Sequence, residues 1–385
     1  MNVGLLGYGN VAQGLVKLLD KSNTKGNGIV ITKILRRRGK ATSSLMTEDP
    51  QEILENDDID VVVELLGGIH PAYEYIRAAL NSGKHVVTAN KALINTYGDE
   101  LNALARKKKV GLLLSAACGG GIPIQPTILE NKPLGIQAIS GILNGTSNYI
   151  LDEMETKGLP FATALKQAQK LGYAEADPSS DIDGMDTLYK IRLAIAVGLN
   201  TWVDIDSILL EGIRFIESED IVEIKKLGYR VRLIAKGELK KKHLHMSVEP
   251  TLVTEDSAEA RTQQNYNLCV LTPERGNLVF LSGQGAGGDP TATNVFRDLL
   301  YTRAGQKEML PETITHKKAH NEELTSKYFI RLEEGLSLKD ASWIDKKWSV
   351  EDYHYYLTKE ISSFDVHQEL HALREKGKVF FARVA

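Results

Sequence analysis

The chain has 385 residues, of which 42% are hydrophobic and 25% charged, with a formal net charge of -3: a globular composition with length for roughly two or three domains and no basic excess to draw it to nucleic acid. Only Cys118 and Cys269 are present, which argues for a reducing compartment and against a disulfide or structural-zinc framework. No signal peptide and no run of about 18 apolar residues is found, so a soluble cytoplasmic protein without membrane contact is expected.

The opening stretch MNVGLLGYGNVAQGLVKLLD reads as a short buried strand, a tight glycine turn and a helix. Gly7 and Gly9, followed by Asn10 and Val11 at the helix start, fit a dinucleotide-binding turn, where missing side chains let the backbone bend and approach a pyrophosphate. Ala12 takes the third glycine position and Gly14 follows. The motif alone is weak, and its place between this strand and a second one at 29–35 gives it weight. At the end of the second strand, where Asp or Glu would hold the ribose of NAD, stand Arg36, Arg37 and Arg38. Guanidinium groups suit a 2'-phosphate, so NADP is the expected cofactor with NAD weaker; the plain alternative is a basic loop.

Strands at 60–65 and 85–88 flank a Gly67-Gly68 turn and a helix at 71–82, the alternation of a doubly wound sheet. The last of these strands runs into Thr88, Asn90 and Lys91 at the carboxyl edge where ligands of such sheets bind. Lys91 reads either as a cofactor contact or as a helix-end residue. A strand at 111–115 leads into Cys118 and three glycines. Cys118 admits a nucleophile reading, but no His is near in sequence and a small residue at a crowded turn is the plainer one.

From residue 131 the pattern changes. An apolar, β-branched strand at 136–143 delivers Asn144, Gly145 and Thr146 before a helix at 149–156, and a helix at 162–171 stops at Gly172. The stretch GYAEADPSSDIDGMDTLYK then sets Glu175, Asp177, Asp181, Asp183 and Asp186 ahead of Lys190. Residues 185–199 carry a helical apolar stripe, which puts Asp186 and Lys190 on one face. An exposed ion pair and a helix cap account for Asp183, Asp186 and Lys190, but not for the carboxylates in the loop before them. Strands at 229–239, 243–253, 268–272 and 278–281 suggest a mixed or antiparallel meander. A second glycine-rich turn, 283–291, contains Gly288 and enters a helix at 291–303, so a ligand-approaching backbone is preferred to a linker.

Taken together, GYGNVAQG (7–14), TANKAL (88–93), GGIP (120–123), GILNGTSNYIL (141–151), residues 172–190 and GQGAGGDPTATNVFRD (283–298) resemble the homoserine dehydrogenase family over about residues 1–310. The resemblance implies an α/β protein. A Rossmann-type dinucleotide-binding domain would span 1–125, rejoined by 286–310, with an α/β substrate and dimerisation domain at 126–285. It implies reversible hydride transfer between L-homoserine and L-aspartate 4-semialdehyde with NADP, in threonine and methionine biosynthesis, by a homodimer. Lys190 would serve the reacting oxygen, with Asp186 and Lys91 as catalytic partners. Glu175 would bind the substrate ammonium, Asp181 would shape the pocket, and Gly145 and Thr146 would face the substrate. Gly7, Gly9, Asn10, Val11, Arg36, Arg37, Thr88, Asn90, Lys91 and Gly288 would hold the cofactor. Ser115 stands where the family usually carries a Glu that helps hold sodium, so no metal is expected. Two other functions are a semialdehyde dehydrogenase using Cys118 as nucleophile and a non-catalytic NADP-sensing protein. The tail, 325–385, distantly resembles a small ACT domain, with strands at 328–332, 353–358 and 379–384 and a helix at 364–376. From sequence, its removal after about residue 315 leaves an active core.

Overall fold

A computed structural model describes residues 1–23, 26 and 28–385. Its contacts define two compact units: Met1–Ile136 with Arg192–Trp202 and Gly283–Thr315, and Gln137–Ile191 with Val203–Ser282 and His316–Ala385.

The first unit is built on strands β1 (Asn2–Leu6), β2 (Val30–Leu35), β3 (Met46–Thr47), β4 (Val61–Glu64), β5 (His85–Thr88) and β6 (Leu112–Leu113), in the order β3-β2-β1-β4-β5-β6. Every neighbouring pair is parallel. Val3, Leu5, Val61, Val62, Val63, Val86 and Val87 are wholly buried, as expected of parallel strands covered on both faces. The chain steps outward from β1 to β2 and β3 and then crosses back to β4 on the other side of β1, so the strand order reverses and a crevice opens at the carboxyl ends of β1 and β4. Two expectations need correction. Residues 111–115 give only the two-residue β6, because the chain tightens into a 3-10 turn at Ser115–Ala117. The helix expected from 291 begins at Gly288, and it packs on the helix Asn10–Asn23: a Cβ on Gly14 would lie 2.9 Å from Asp289 and 3.1 Å from Ala292.

The second unit carries an 11-stranded sheet. Its central hairpin, Tyr229–Lys240 with His243–Thr254, is antiparallel over its whole length. Lys241 and Lys242, both left-handed (φ 51° and 70°), make the two-residue turn that suits strand twist. Ile136–Ile142 pairs antiparallel with Tyr229–Lys240 on one side. On the other, His243–Thr254 pairs parallel with Val379–Val384, so the tail continues the same sheet. The tail adds Thr325–Glu333, Tyr353–Thr358 and a strand the sequence reading lacked, Ile344–Val350. The helix Ser363–Arg374 closes its core through Val366 and Leu370 against Tyr328, Ile330 and Phe381. Polar contacts to two buried carboxylates fasten this tail. Glu249, wholly buried, accepts from His367 Nε2 at 3.0 Å and from the Tyr328 hydroxyl at 3.2 Å. Glu211 pairs with both terminal nitrogens of Arg374 at 3.0 and 3.1 Å and with His371 at 2.9 Å.

Candidate active site

In the first unit, Gly7 follows β1 with φ 103°, and a Cβ there would lie 2.8 Å from the Leu65 carbonyl after β4. A Cβ on Gly9 would meet nothing within 4 Å, so this turn leaves open space beside the N-terminus of the helix holding Asn10 and Val11. A cavity of about 490 Å³ is lined by Gly7, Tyr8, Gly9, Arg36, Arg37 and Lys40 together with Leu65, Leu66, Pro71 and Tyr75. The Arg36 guanidinium lies 5.0 Å from the centre of the Tyr8 ring. Three cations line the cavity against one carboxylate, Glu48, which accepts from Gly39 N, and with a bare glycine turn and a helix start the set fits a phosphate-rich dinucleotide. Arg38 is exposed and does not line this cavity.

Glu64, at the end of β4, was not singled out from sequence. It is wholly buried and accepts from the amides of Leu66 and Gly67 at 2.8 and 3.3 Å and from the Thr88 hydroxyl at 2.6 Å. Burial pushes its carboxyl above the ordinary range, against these donors. Thr88 accepts in turn from the Asn90 amide. Asn90 caps the helix Lys91–Lys108 by accepting from Leu93 N and donates to Gly68 O at 2.5 Å. Thr88 and Asn90 are thus buried in the scaffold of the crevice, with half-buried Lys91 as the first residue of the capped helix. The two glycine-rich turns also meet: a Cβ on Gly120 would fall 2.5 Å from the backbone of Gly285, and one on Gly288 2.9 Å from Asn10 O. Asn294 clamps them by donating to the carbonyls of Gly120 and Ile122. Ser115 is wholly buried, its amide donating to Asp298 at 2.8 Å and its hydroxyl to Met309 Sδ at 3.6 Å. Cys118 is wholly buried as well.

In the second unit, the strand Ile136–Ile142 runs into a helix that starts at Gly145, four residues earlier than expected, because the Asn144 side chain caps it by accepting from Ser147 N at 2.7 Å. The same side chain donates through Nδ2 to Asp181 at 2.6 Å and to Asp186 at 2.8 Å. Asp186 accepts from Lys190 Nζ at 2.6 Å, and Lys190 also donates to the Leu143 carbonyl at 2.7 Å. The side chains of Lys190 and Asp186 are 10% and 9% exposed, so this is a buried pair and not the surface pair that spacing also allowed. Asp181, on the short helix Ser179–Ile182, is held above the ordinary carboxylate range, first by burial and then by the charge of Asp186. Thr146 donates to Tyr173 O at 2.6 Å. Gly145 lies against Asn265, whose carbonyl would be 2.6 Å from a Cβ there.

Of the residues expected here, Asp181, Asp186 and Lys190 come together, with Gly145 and Thr146 on the adjoining helix turn. Glu175 stays exposed on the loop, and among the described residues no hydrogen bond joins its carboxylate to the cluster. Asp183 turns away to a two-pronged pair with Arg214 at 2.7 Å. Asn144 is named in the sequence reading but given no role there, although an Asn between an apolar strand and Gly-Thr is a helix-cap signal. A roomier cavity, about 720 Å³, lies elsewhere in this unit among Ser140, Lys236, Thr251 and Arg383. It contains none of the clustered residues, and chemistry is assigned to the cluster because charge and burial converge there.

A doubly wound sheet with a glycine turn and basic wall, in a chain that also buries a lysine among carboxylates, defines a nicotinamide-dependent oxidoreductase. The family described as "Homoserine dehydrogenase" matches residues 123–300, and the one described as "Homoserine dehydrogenase, NAD binding domain" matches residues 7–115. The homoserine dehydrogenase of Neisseria gonorrhoeae is 39% identical over 311 residues, covering 78% of this chain and 72% of that protein. That of Bacillus subtilis is 36% identical over 312 residues, with the same coverage. Among solved structures, a homoserine dehydrogenase from Thiobacillus denitrificans aligns with a TM-score of 0.89 at 32% identity, covering 100% of this chain and 98% of that one. A hyperthermophilic archaeal homoserine dehydrogenase in complex with NADPH aligns at 0.68 with 25% identity, covering 80% and 99%. The chain belongs to the homoserine dehydrogenase family, NAD(P)-dependent oxidoreductases that act on a CH-OH group. Among the described residues, no helix is long and apolar enough to cross a membrane.

Proposed function

We propose that this enzyme interconverts L-homoserine and L-aspartate 4-semialdehyde with NADP(H) preferred, as a cytoplasmic homodimer serving threonine and methionine biosynthesis. The observation that carries the catalytic part is the chain Asp181–Asn144–Asp186–Lys190, half-buried at Asp181 and buried beyond it, closed by the Leu143 carbonyl. When bound, the nicotinamide dinucleotide supplies or accepts the hydride. In the reducing direction the Lys190 ammonium gives its proton to the aldehyde oxygen as negative charge develops there, and solvent restores it. Asp186 orients Lys190, while Asp181, and Glu175 from the exposed loop, recognise the substrate ammonium. Gly145 and Thr146 line the substrate position. On the cofactor side, Gly7, Gly9, Asn10 and Val11 take the pyrophosphate and Arg36 and Arg37 the 2'-phosphate. Thr88, Asn90, Lys91 and Gly288 take the nicotinamide half. As functional divisions we take 1–125 with 286–310 for the dinucleotide, 126–285 for the substrate and 325–385 for an ACT-like tail.

The burial of Cys118 favours this reading over a thiol-dependent semialdehyde dehydrogenase. Steady-state oxidation of L-homoserine with NADP and with NAD tests it. Turnover without added phosphate that survives Cys118→Ser is expected. Absence of homoserine turnover, or equal efficiency with both cofactors, refutes the corresponding part.

A further inference from the structure

The two N–H bonds of the Asn144 amide are both spent on carboxylates, Asp181 at 2.6 Å and Asp186 at 2.8 Å, while its oxygen takes Ser147 N at 2.7 Å. Asn144 is 3% exposed and every polar atom of its side chain is engaged. Its neighbour Leu143 gives its carbonyl to Lys190 at 2.7 Å, and Lys190 meets the same Asp186 oxygen, Oδ2, that Asn144 holds. One strand-to-helix junction therefore grips both carboxylates and the lysine. Two carboxylates crowded into a buried site repel, and one picks up a proton unless donors lie between them.

We infer that Asn144 is a positioning residue for the reaction: its amide, set between Asp181 and Asp186, keeps both carboxylates ionised side by side so that Lys190 is presented as an aimed ammonium. The inference rests on the reading of Lys190 as proton donor and deepens it. The charged groups acting on Asp181 are Asp186 and Lys190. The others nearby are engaged elsewhere: Asp183 with Arg214, and Asp177 with Ser179. From the helix Gly145–Lys157, the Thr146 hydroxyl lies within reach of Asp181 as well as of Tyr173 O, while Tyr149 packs edge-on against Tyr173, Asp152 accepts from Gln264 N and Glu153 pairs with Lys157. Burial and Asp186 hold Asp181 above the ordinary range, and the Asn144 amide acts against both.

Asn144→Asp removes the donors of the amide. The substitution keeps the volume and the cap oxygen, because Asp caps helices about as well as Asn, but it removes both donors and adds a third carboxylate. Expected are a fall in kcat/KM for homoserine of at least ~10²-fold at neutral pH and an upward displacement of the acid limb of the kcat/KM profile by about one pH unit. Circular dichroism and NADP titration should stay those of the unaltered enzyme. Asn144→Ser, which keeps a cap oxygen without the reach, is measured in parallel and should also displace the acid limb upward. A merely structural cap would leave the pH profile in place. Activity of Asn144→Asp within about threefold, with a superimposable profile, overturns the inference. If that variant does not fold, an unmoved acid limb in Asn144→Ser overturns it. Failure of the unaltered enzyme to turn over homoserine would instead remove the parent reading.

Discussion

Replacing Lys190 separates its part in the fold from its part in the reaction. Its ammonium is held at 2.6 Å by Asp186 and at 2.7 Å by the Leu143 carbonyl, with its side chain 10% exposed. Lys190→Met keeps the length and removes the charge, leaving the Asp186 carboxylate with the Asn144 amide but without its cation. Stranding one member of a buried pair usually costs about 3 to 5 kcal/mol, and the remaining amide places this case near 3. An exposed pair would be worth only a few tenths of a kcal/mol. Asp186→Asn with Lys190→Met removes the stranded charge and should recover stability to within about 1 kcal/mol. Turnover follows a different rule: without a proton donor kcat falls ~10² to 10⁴-fold in both variants, with NADP affinity unchanged. Urea denaturation followed by circular dichroism, beside kcat, KM and cofactor titration, reads both. A double variant that regains kcat within about threefold of the unaltered enzyme would refute the reasoning, and so would a single variant with an unmoved unfolding midpoint.

Uncharging Arg36 and Arg37, which line the dinucleotide cavity, should narrow the preference for NADP over NAD by at least ~10-fold, the worth of one charge-assisted contact; an unchanged ratio of kcat/KM values would count against a 2'-phosphate site. Removing residues 316–385 takes away the strand paired with His243–Thr254 and the partners of Glu211 and Glu249, so the truncated chain should lose solubility and stability through a newly open sheet edge. The sequence alone pointed the other way, and a soluble truncated core with full activity would vindicate it. Asp298 is wholly buried, and burial pushes its carboxyl from 3.8 up to about 7. Because the folded value is raised, its contribution is fully present below the unfolded value and lost as pH climbs through about 7. Asp298→Asn should therefore gain on the unaltered enzyme between about pH 4 and 7 and level off above, by on the order of 4 kcal/mol at most; parallel stability curves across that range would refute it.

Local patterns carried much of the fold. Gly7 and Gly9 announce their turn because the backbone there needs room and a positive φ, and the stripe of 185–199 placed Asp186 and Lys190 on one face. What local pattern cannot convey is depth: the same four-residue spacing describes a surface pair and the buried pair found here. Nor does it convey partnership across the chain. Asn144 reaches carboxylates 37 and 42 residues away, a relation set by where the short helix Ser179–Ile182 and the start of Met185–Leu199 lie against the N-terminus of Gly145–Lys157. The strand Ile344–Val350 escaped because IDKKWSV buries no continuous face, as a strand with one unpaired side permits. The run 111–115 misled in the opposite sense: apolar residues do signal burial, but only Leu112 and Leu113 belong to the sheet before the chain turns.

The dinucleotide unit is discontinuous, and this bears on its synthesis. Its sheet is encoded within Met1–Ile136, yet the helix Gly288–Arg303, which packs against Gly14, leaves the ribosome far later. At 5 to 20 residues per second the interval from residue 136 to residue 303 lasts roughly 10 to 30 s. Throughout it the nascent sheet has its strands but not its last cover, and the Gly14 face of the first helix stands open to water or to a chaperone. Ribosome-bound chains halted before residue 288 should therefore be the form most readily cut by protease within the first unit, and those long enough for Gly288–Arg303 to have cleared the exit tunnel the first to resist.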